Sequence, residues 1–111
     1  MKILEEKIKK SDLASSECIY DGPMVKAVVD IGKSLVAVDA ELHADLEKML
    51  LNNGSEQDDL WGINLWYEDE DEFIEYDSMI NVRPRQNNRS RDVEDEGKRR
   101  EIVRVVEKWI Q

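Results

Sequence analysis

Between Asn81 and Arg91 the chain reads Asn-Val-Arg-Pro-Arg-Gln-Asn-Asn-Arg-Ser-Arg, with four arginines, four side-chain amides and no acid. A guanidinium presents a planar fork of N–H donors that matches a carboxylate or a phosphate, and amides add neutral donors without repelling a second arginine. The segment therefore has the groups to hold an anion. Its candidate ligand-binding residues are Asn81, Arg83, Gln86, Asn88, Arg89 and Ser90, joined by Asn64 from an upstream strand. Equally open is a tether, in which Arg83 and Arg89 tie the loop to Asp77, Glu94 or Asp95 while Asn87 and Asn88 form turns.

His43 is the single histidine, and Asp45 follows it by two residues. Histidine suits proton transfer near neutral pH and a carboxylate can orient it, so the two are the candidate catalytic residues. Residues two apart share a face on a strand but not on a helix, so their pairing depends on a break between the two. The alternative is structural: Asp45 caps a helix and His43 makes a fixed hydrogen bond. One His and one Cys give poor spacing for a transition metal, so no metal is expected. The acidic run Glu68 to Glu72 lacks the alternating ligands and glycine of a calcium loop and reads as a solvated hairpin tip. Trp61 is expected in packing, whereas Trp66, sharing a face with Asn64, is the better candidate to line a pocket. Ser78 and Ser90 lie in no nucleophile-elbow pattern. A phosphate loop, a dinucleotide fingerprint and a zinc motif are all missing from the sequence, so no cofactor is expected.

These residues must be positioned by 111 residues, a length that fits a single domain over 1–111 with a modest core. Charged residues make up 38% of the chain, but the 41% hydrophobic residues fall in periodic blocks that can bury a face, so the chain should fold. A net charge of -10 opposes broad binding to nucleic acid or to anionic membranes, leaving only a local basic patch to overcome that repulsion. Lone Cys18, the lack of an apolar run of membrane-spanning length and a start without a signal peptide's apolar core point to the cytoplasm.

Lys2 to Lys9 reads as a short edge strand, and Ser11 as a cap before a helical turn at Asp12 to Glu17. After the Asp21-Gly22-Pro23 turn, Met24 to Ile31 and Leu35 to Val38 form a hairpin around Gly32-Lys33-Ser34. Val25, Ala27, Val29 and Ile31 share its core face, and the other face is expected to be half wet. The spacing of Leu42, Leu46, Met49 and Leu50 predicts a helix from His43 or Asp45 to Asn53, stopped at Asn53-Gly54. Leu60 to Tyr67 and Phe73 to Arg83 read as a second hairpin around the acidic tip, with Ile74, Tyr76, Ile80 and Val82 on one face. Asp95 caps a last helix to about Ile110, with Ile102, Val105, Val106, Trp109 and Ile110 as its apolar stripe. The order hairpin, helix, hairpin, helix implies an α+β two-layer sandwich: a mostly antiparallel four-stranded sheet with helices on one face.

The motifs Glu41-Leu42-His43-Ala44-Asp45, Leu60-Trp61-Gly62-Ile63-Asn64, Asp77-Ser78-Met79-Ile80-Asn81-Val82-Arg83-Pro84 and Gln86-Asn87-Asn88-Arg89-Ser90 have Val93-Glu94-Asp95 behind them. Together they resemble a small prokaryotic family of uncharacterised proteins over nearly the whole chain from Met24 onward. Relative to that family's pattern, Asp39-Ala40 and Asn87 stand where glycines usually stand. Asn tolerates the left-handed conformation, so the second departure is mild. The family carries no assigned reaction, so the resemblance marks positions rather than chemistry. Three functions follow as expectations. The leading one is a non-catalytic binding or regulatory module whose Arg/Asn loop holds a small anionic ligand or the acidic tip of a second subunit. The second is an enzyme acting on a phosphate ester, with RNA as one substrate class, using His43 as acid or base beside Arg83 or Arg89. The third is a structural homodimer joined through hairpin edges.

Overall fold

Met24–Asp30 is an almost unbroken apolar run, a pattern that suits a strand covered on both faces. In the computed structural model, which describes residues 1–19 and 22–111, it forms the central strand, β2, of a five-stranded antiparallel sheet. The other strands are β1 (Lys2–Ile3), β3 (Leu35–Val38), β4 (Leu60–Trp66) and β5 (Ile74–Glu75), in the spatial order β1-β3-β2-β4-β5. The helices are α1 (His43–Asn52) and α2 (Glu96–Trp109). Asp21, the first residue of the expected turn, lies outside the described residues, and Gly22 beside it takes the left-handed φ of +95°.

The α+β antiparallel expectation holds, with two differences. The short N-terminal strand pairs with β3 through Lys2 opposite Val38 and raises the strand count from four to five. The helices are not on one face. On the first face Val25, Ala27, Val29, Val36, Val38, Trp61, Ile63 and Leu65 pack with Ile102, Val105 and Val106 of α2. On the second, Val28, Ala37 and Leu60 pack with Leu46 and Leu50 of α1. The physical reason is visible in β2, where Val28 is as apolar as its neighbours and needs cover of its own. Each fully buried Val or Leu contributes about 1.5–3 kcal/mol, so neither face could be left wet cheaply.

The β2–β3 turn is held by Asp30, a fully buried carboxylate. Its Oδ1 accepts the N–H groups of Gly32 at 2.9 Å and Lys33 at 2.8 Å, and its Oδ2 accepts the Ser55 hydroxyl at 2.6 Å. At the start of α2, Asp95 Oδ1 accepts the Lys98 N–H at 2.9 Å, the cap that its sequence position implies.

The second expected hairpin is cut short. β5 pairs with β4 only at Glu75 opposite Asn64 and Ile74 opposite Leu65, after which the chain leaves the ladder and winds into 3-10 turns at Met79–Asn81 and Pro84–Gln86. Ile74 and Tyr76 pack against the first core and Ile80 against the second, so the alternation from 73 to 83 does not describe one strand face. The crossing takes place at Gly62, where a Cβ would lie 2.5 Å from the Ser78 Oγ and 2.6 Å from its Cβ.

Candidate functional site

A strand edge presents backbone N–H and C=O groups that need partners, and β4 loses its neighbour once β5 ends. The Asn81–Arg91 loop supplies those partners with side chains. Asn81 is fully buried; its Oδ1 accepts the Gly62 N–H at 2.8 Å, and its Nδ2 donates to the Gly62 carbonyl at 2.9 Å and to the Arg91 carbonyl at 3.0 Å. The amide thus pairs with Gly62 as a neighbouring strand would. Arg83, only 7% exposed, donates from Nη2 to the Leu60 carbonyl, from Nε to the Ile80 carbonyl at 3.0 Å and from Nη1 to Gln86 Oε1 at 3.1 Å. Its guanidinium also lies 4.6 Å from the centre of the Trp61 ring. Glu47 Oε2, 3.8 Å away, is near enough to feel the charge but too far for a hydrogen bond. Burial lowers the pKa of Arg83, against the pull of Glu47.

Asn88 closes the loop on itself. Its Nδ2 donates to the carbonyls of Asn81 and Asp92, both at 2.7 Å, and more weakly to Ser90 at 3.2 Å, while its Oδ1 accepts the Glu94 N–H at 2.9 Å. Glu94 Oε2 accepts the backbone N–H groups of Arg89 and Ser90 and the Ser90 hydroxyl, and the Ser90 bonds lead in holding its pKa below the usual range. Asn87 takes the left-handed φ of 59° between the second 3-10 turn and Asn88. Gln86 Nε2 donates to the Asp58 carbonyl at 3.1 Å, Arg85 pairs with Asp58 at 2.6 Å and Arg91 with Asp77 at 2.5 Å. Of the six candidates on this loop, only Arg89 has an exposed side chain without a hydrogen bond or ion pair among the described residues.

His43 opens α1 and lies against the middle of β4. It is 9% exposed, and its Nε2 donates to the Ile63 carbonyl at 2.8 Å, which places a proton on Nε2. Burial lowers its pKa, outweighing the carbonyl's opposite effect; among the surrounding charges Lys26 and Arg91 lower it and Asp77 raises it. Asp45 is exposed in the first turn of α1 and makes no cap bond there, since the cap position is Leu42. His43 and Asp45 are therefore not a pair. Asn64 follows the Ile63 that His43 bonds: its Nδ2 donates to Glu75 Oε1 at 2.8 Å and to the Asp77 carbonyl at 3.3 Å, and its Oδ1 has no partner among the described residues. Trp66 donates to the same Glu75 oxygen at 3.3 Å.

A cleft of about 370 Å³ opens between the loop and the start of α2, lined by Gln86, Asn87, Asn88, Glu94, Asp95 and Lys98 over Trp61. Trp61 is fully buried, yet its indole N–H has no acceptor among the described residues. Lys98 Nζ lies 5.4 Å from the centre of its ring. Two cations thus attend one indole, a stabilising arrangement for an electron-rich ring.

The pattern of one sequence family matches residues 2–109. The chain belongs to that family, described as Protein of unknown function (DUF5674). No curated protein and no solved structure matches the chain. In this family member no helix among the described residues is long and apolar enough to cross a membrane. No group of three or more His, Cys, Asp or Glu side chains among them is placed to hold a metal ion.

The structure brings Asn81, Arg83, Gln86 and Asn88 together, as their spacing implies, but turns their polar atoms inward. His43 makes no bond to any of them: it bonds the Ile63 carbonyl, whereas Asn81 bonds the adjacent Gly62 and Arg83 bonds Leu60. Sequence reasoning did not single out the Trp61 N–H or Lys98 as members of a site. Nothing in a Trp on an alternating strand signals that its one donor will lack an acceptor.

Proposed function

We propose that this chain is a small non-catalytic binding module that takes a small anionic ligand, one presenting a carboxylate or phosphate oxygen, in the cleft over Trp61. The observation that carries this reading is the buried indole N–H without an acceptor. Leaving such a donor unmade costs about 1–3 kcal/mol, and because the N–H is covered, a bound oxygen reaches it by displacing a side chain above it. Three features support an anion rather than a neutral acceptor. Lys98 lines the cleft, and the amino-terminal end of a 14-residue helix opens onto it. The acids that would oppose an anion, Glu94 and Asp95, are each bonded to backbone N–H groups. Lone Cys18, a free thiol, fits a cytoplasmic address.

An enzyme of the phosphoester class would need His43 and Arg83 or Arg89 free to meet a substrate; the His43 Nε2 is taken by the Ile63 carbonyl and the Arg83 donors by Leu60, Ile80 and Gln86, which favours binding over catalysis. A thermal-shift screen of phosphate, nucleotides and short carboxylates tests the proposal. The expected result is a rise in melting temperature that is lost in Trp61→Phe, which keeps a ring but removes the donor, and in Lys98→Ala. A rise that survives both substitutions, or no rise with any of these anions, overturns it.

A further inference from the structure

We propose that a second cleft, between the acidic hairpin tip and the C-terminal half of α2, receives a lysine or arginine side chain from a basic segment of a partner protein, in competition with the chain's own Lys10. The cleft holds about 290 Å³; Phe73 and Val106 are among its floor residues, and Glu70, Asp71, Glu72 and Glu107 stand around it. Lys10 also lines it, with Nζ 4.5 Å from the centre of the Phe73 ring. An ammonium over an aromatic face with its methylene stem on apolar side chains is the arrangement in which a long cationic side chain binds. The chain thus already holds one example of the chemistry that the cleft accepts.

Three observations separate a docking site from a satisfied internal contact. Lys10 brings one positive charge to four surrounding carboxylates, and among the described residues none of these pairs with it within 4.0 Å, so the cleft keeps an excess of negative charge. The Lys10 backbone is fixed, its N–H donating to the Gln111 carbonyl at 3.0 Å, so only a flexible side chain has to leave for the cleft to open. Phe73 is 8% exposed with Lys10 seated, so departure of that side chain uncovers the ring face. The occupant is a basic protein segment rather than a second copy, because two chains of net charge -10 repel each other while a basic partner is drawn in. This cleft shares no residue with the one over Trp61, so either can fail without the other.

The test uses the whole chain and a fluorescent hexalysine peptide, followed by anisotropy, with circular dichroism to confirm folding. Wild type should bind, and Lys10→Ala should bind about 2- to 5-fold more tightly as the internal competitor is removed. Adding Phe73→Leu to Lys10→Ala, which keeps an apolar floor without the ring face, should reverse that gain. Should Phe73→Leu unfold the chain, the exposed triple change Glu70→Gln, Asp71→Asn and Glu72→Gln replaces it, with weaker binding expected. The proposal is overturned by absence of hexalysine binding, by equal affinity in wild type and Lys10→Ala, or by binding that ignores both the ring and the tip. Self-association at micromolar concentration that hexalysine reverses would assign the cleft to a second copy and overturn the partner named here.

Discussion

β4 is closed along its outer edge in two ways. At Asn64 and Leu65 it pairs with the backbone of β5, whereas at Gly62 and Leu60 it pairs with the side chains of Asn81 and Arg83. The backbone half is a hairpin whose pairing tolerates most side chains. The other half depends on two specific residue types, because only an amide offers a donor and an acceptor side by side and only a guanidinium spreads its donors over three nitrogens of one rigid plane. A loop rich in Arg and Asn is thus not by itself a ligand site; the same donors complete a sheet.

The contrast can be broken most sharply at Arg83. Arg83→Met leaves the Leu60 and Ile80 carbonyls and Gln86 without their donor and Glu47 without its cation, and should cost about 3–5 kcal/mol in chemical denaturation. Arg83→Lys should recover little, since one ammonium does not span three acceptors. Asn81→Ala strands both backbone groups of Gly62 and should cost about 2–4 kcal/mol. In the backbone half, Glu75→Ala removes only side-chain bonds to Asn64 and Trp66, and about 1 kcal/mol is expected. A cost for Glu75→Ala as large as that for Asn81→Ala would erase the distinction.

His43 sharpens the comparison through pH. Its folded pKa is depressed, so the unfolded chain takes up the proton first as pH falls. The stability associated with the neutral buried ring is present above the unfolded value near 6.5 and is lost as pH drops through the folded value. His43→Gln, which can still donate to Ile63, should flatten that acid dependence in denaturation midpoints measured from pH 7 downward. The smallest effect is expected at Arg89, where alanine should shift stability by no more than about 0.5 kcal/mol; a larger loss would make Arg89 part of the closure.

Much of the fold was legible because periodicity reports burial. The β2–β3 hairpin, α1, β4 and the Asp95-capped α2 lie where the apolar spacing and turn residues put them. The end of the second hairpin is hidden in the sequence because Ile74, Tyr76, Ile80 and Val82 keep a two-residue rhythm across a break that the close approach at Gly62 marks. The sequence does not show that α1 covers the second face, because Val28 stands between Lys26 and Asp30 as a single apolar residue on a side that looks half wet. In the site, the spacing of Asn81, Arg83, Gln86 and Asn88 marked a real cluster, but whether its donors face a ligand or a strand edge is a tertiary property. That His43 bonds Ile63 and Asn64 bonds Glu75 is tertiary in the same way.

The central claim, that side chains stand in for a strand beside Gly62, is tested most directly by residue-resolved amide hydrogen exchange of wild type and Asn81→Ala under native conditions. In wild type the Gly62 amide should be protected like the Trp66 amide, which donates to the Phe73 carbonyl at 2.9 Å. In Asn81→Ala, protection of Gly62 should fall well below that of Trp66. Equal protection of the two amides in the variant would show that Gly62 does not depend on Asn81 and would contradict the claim.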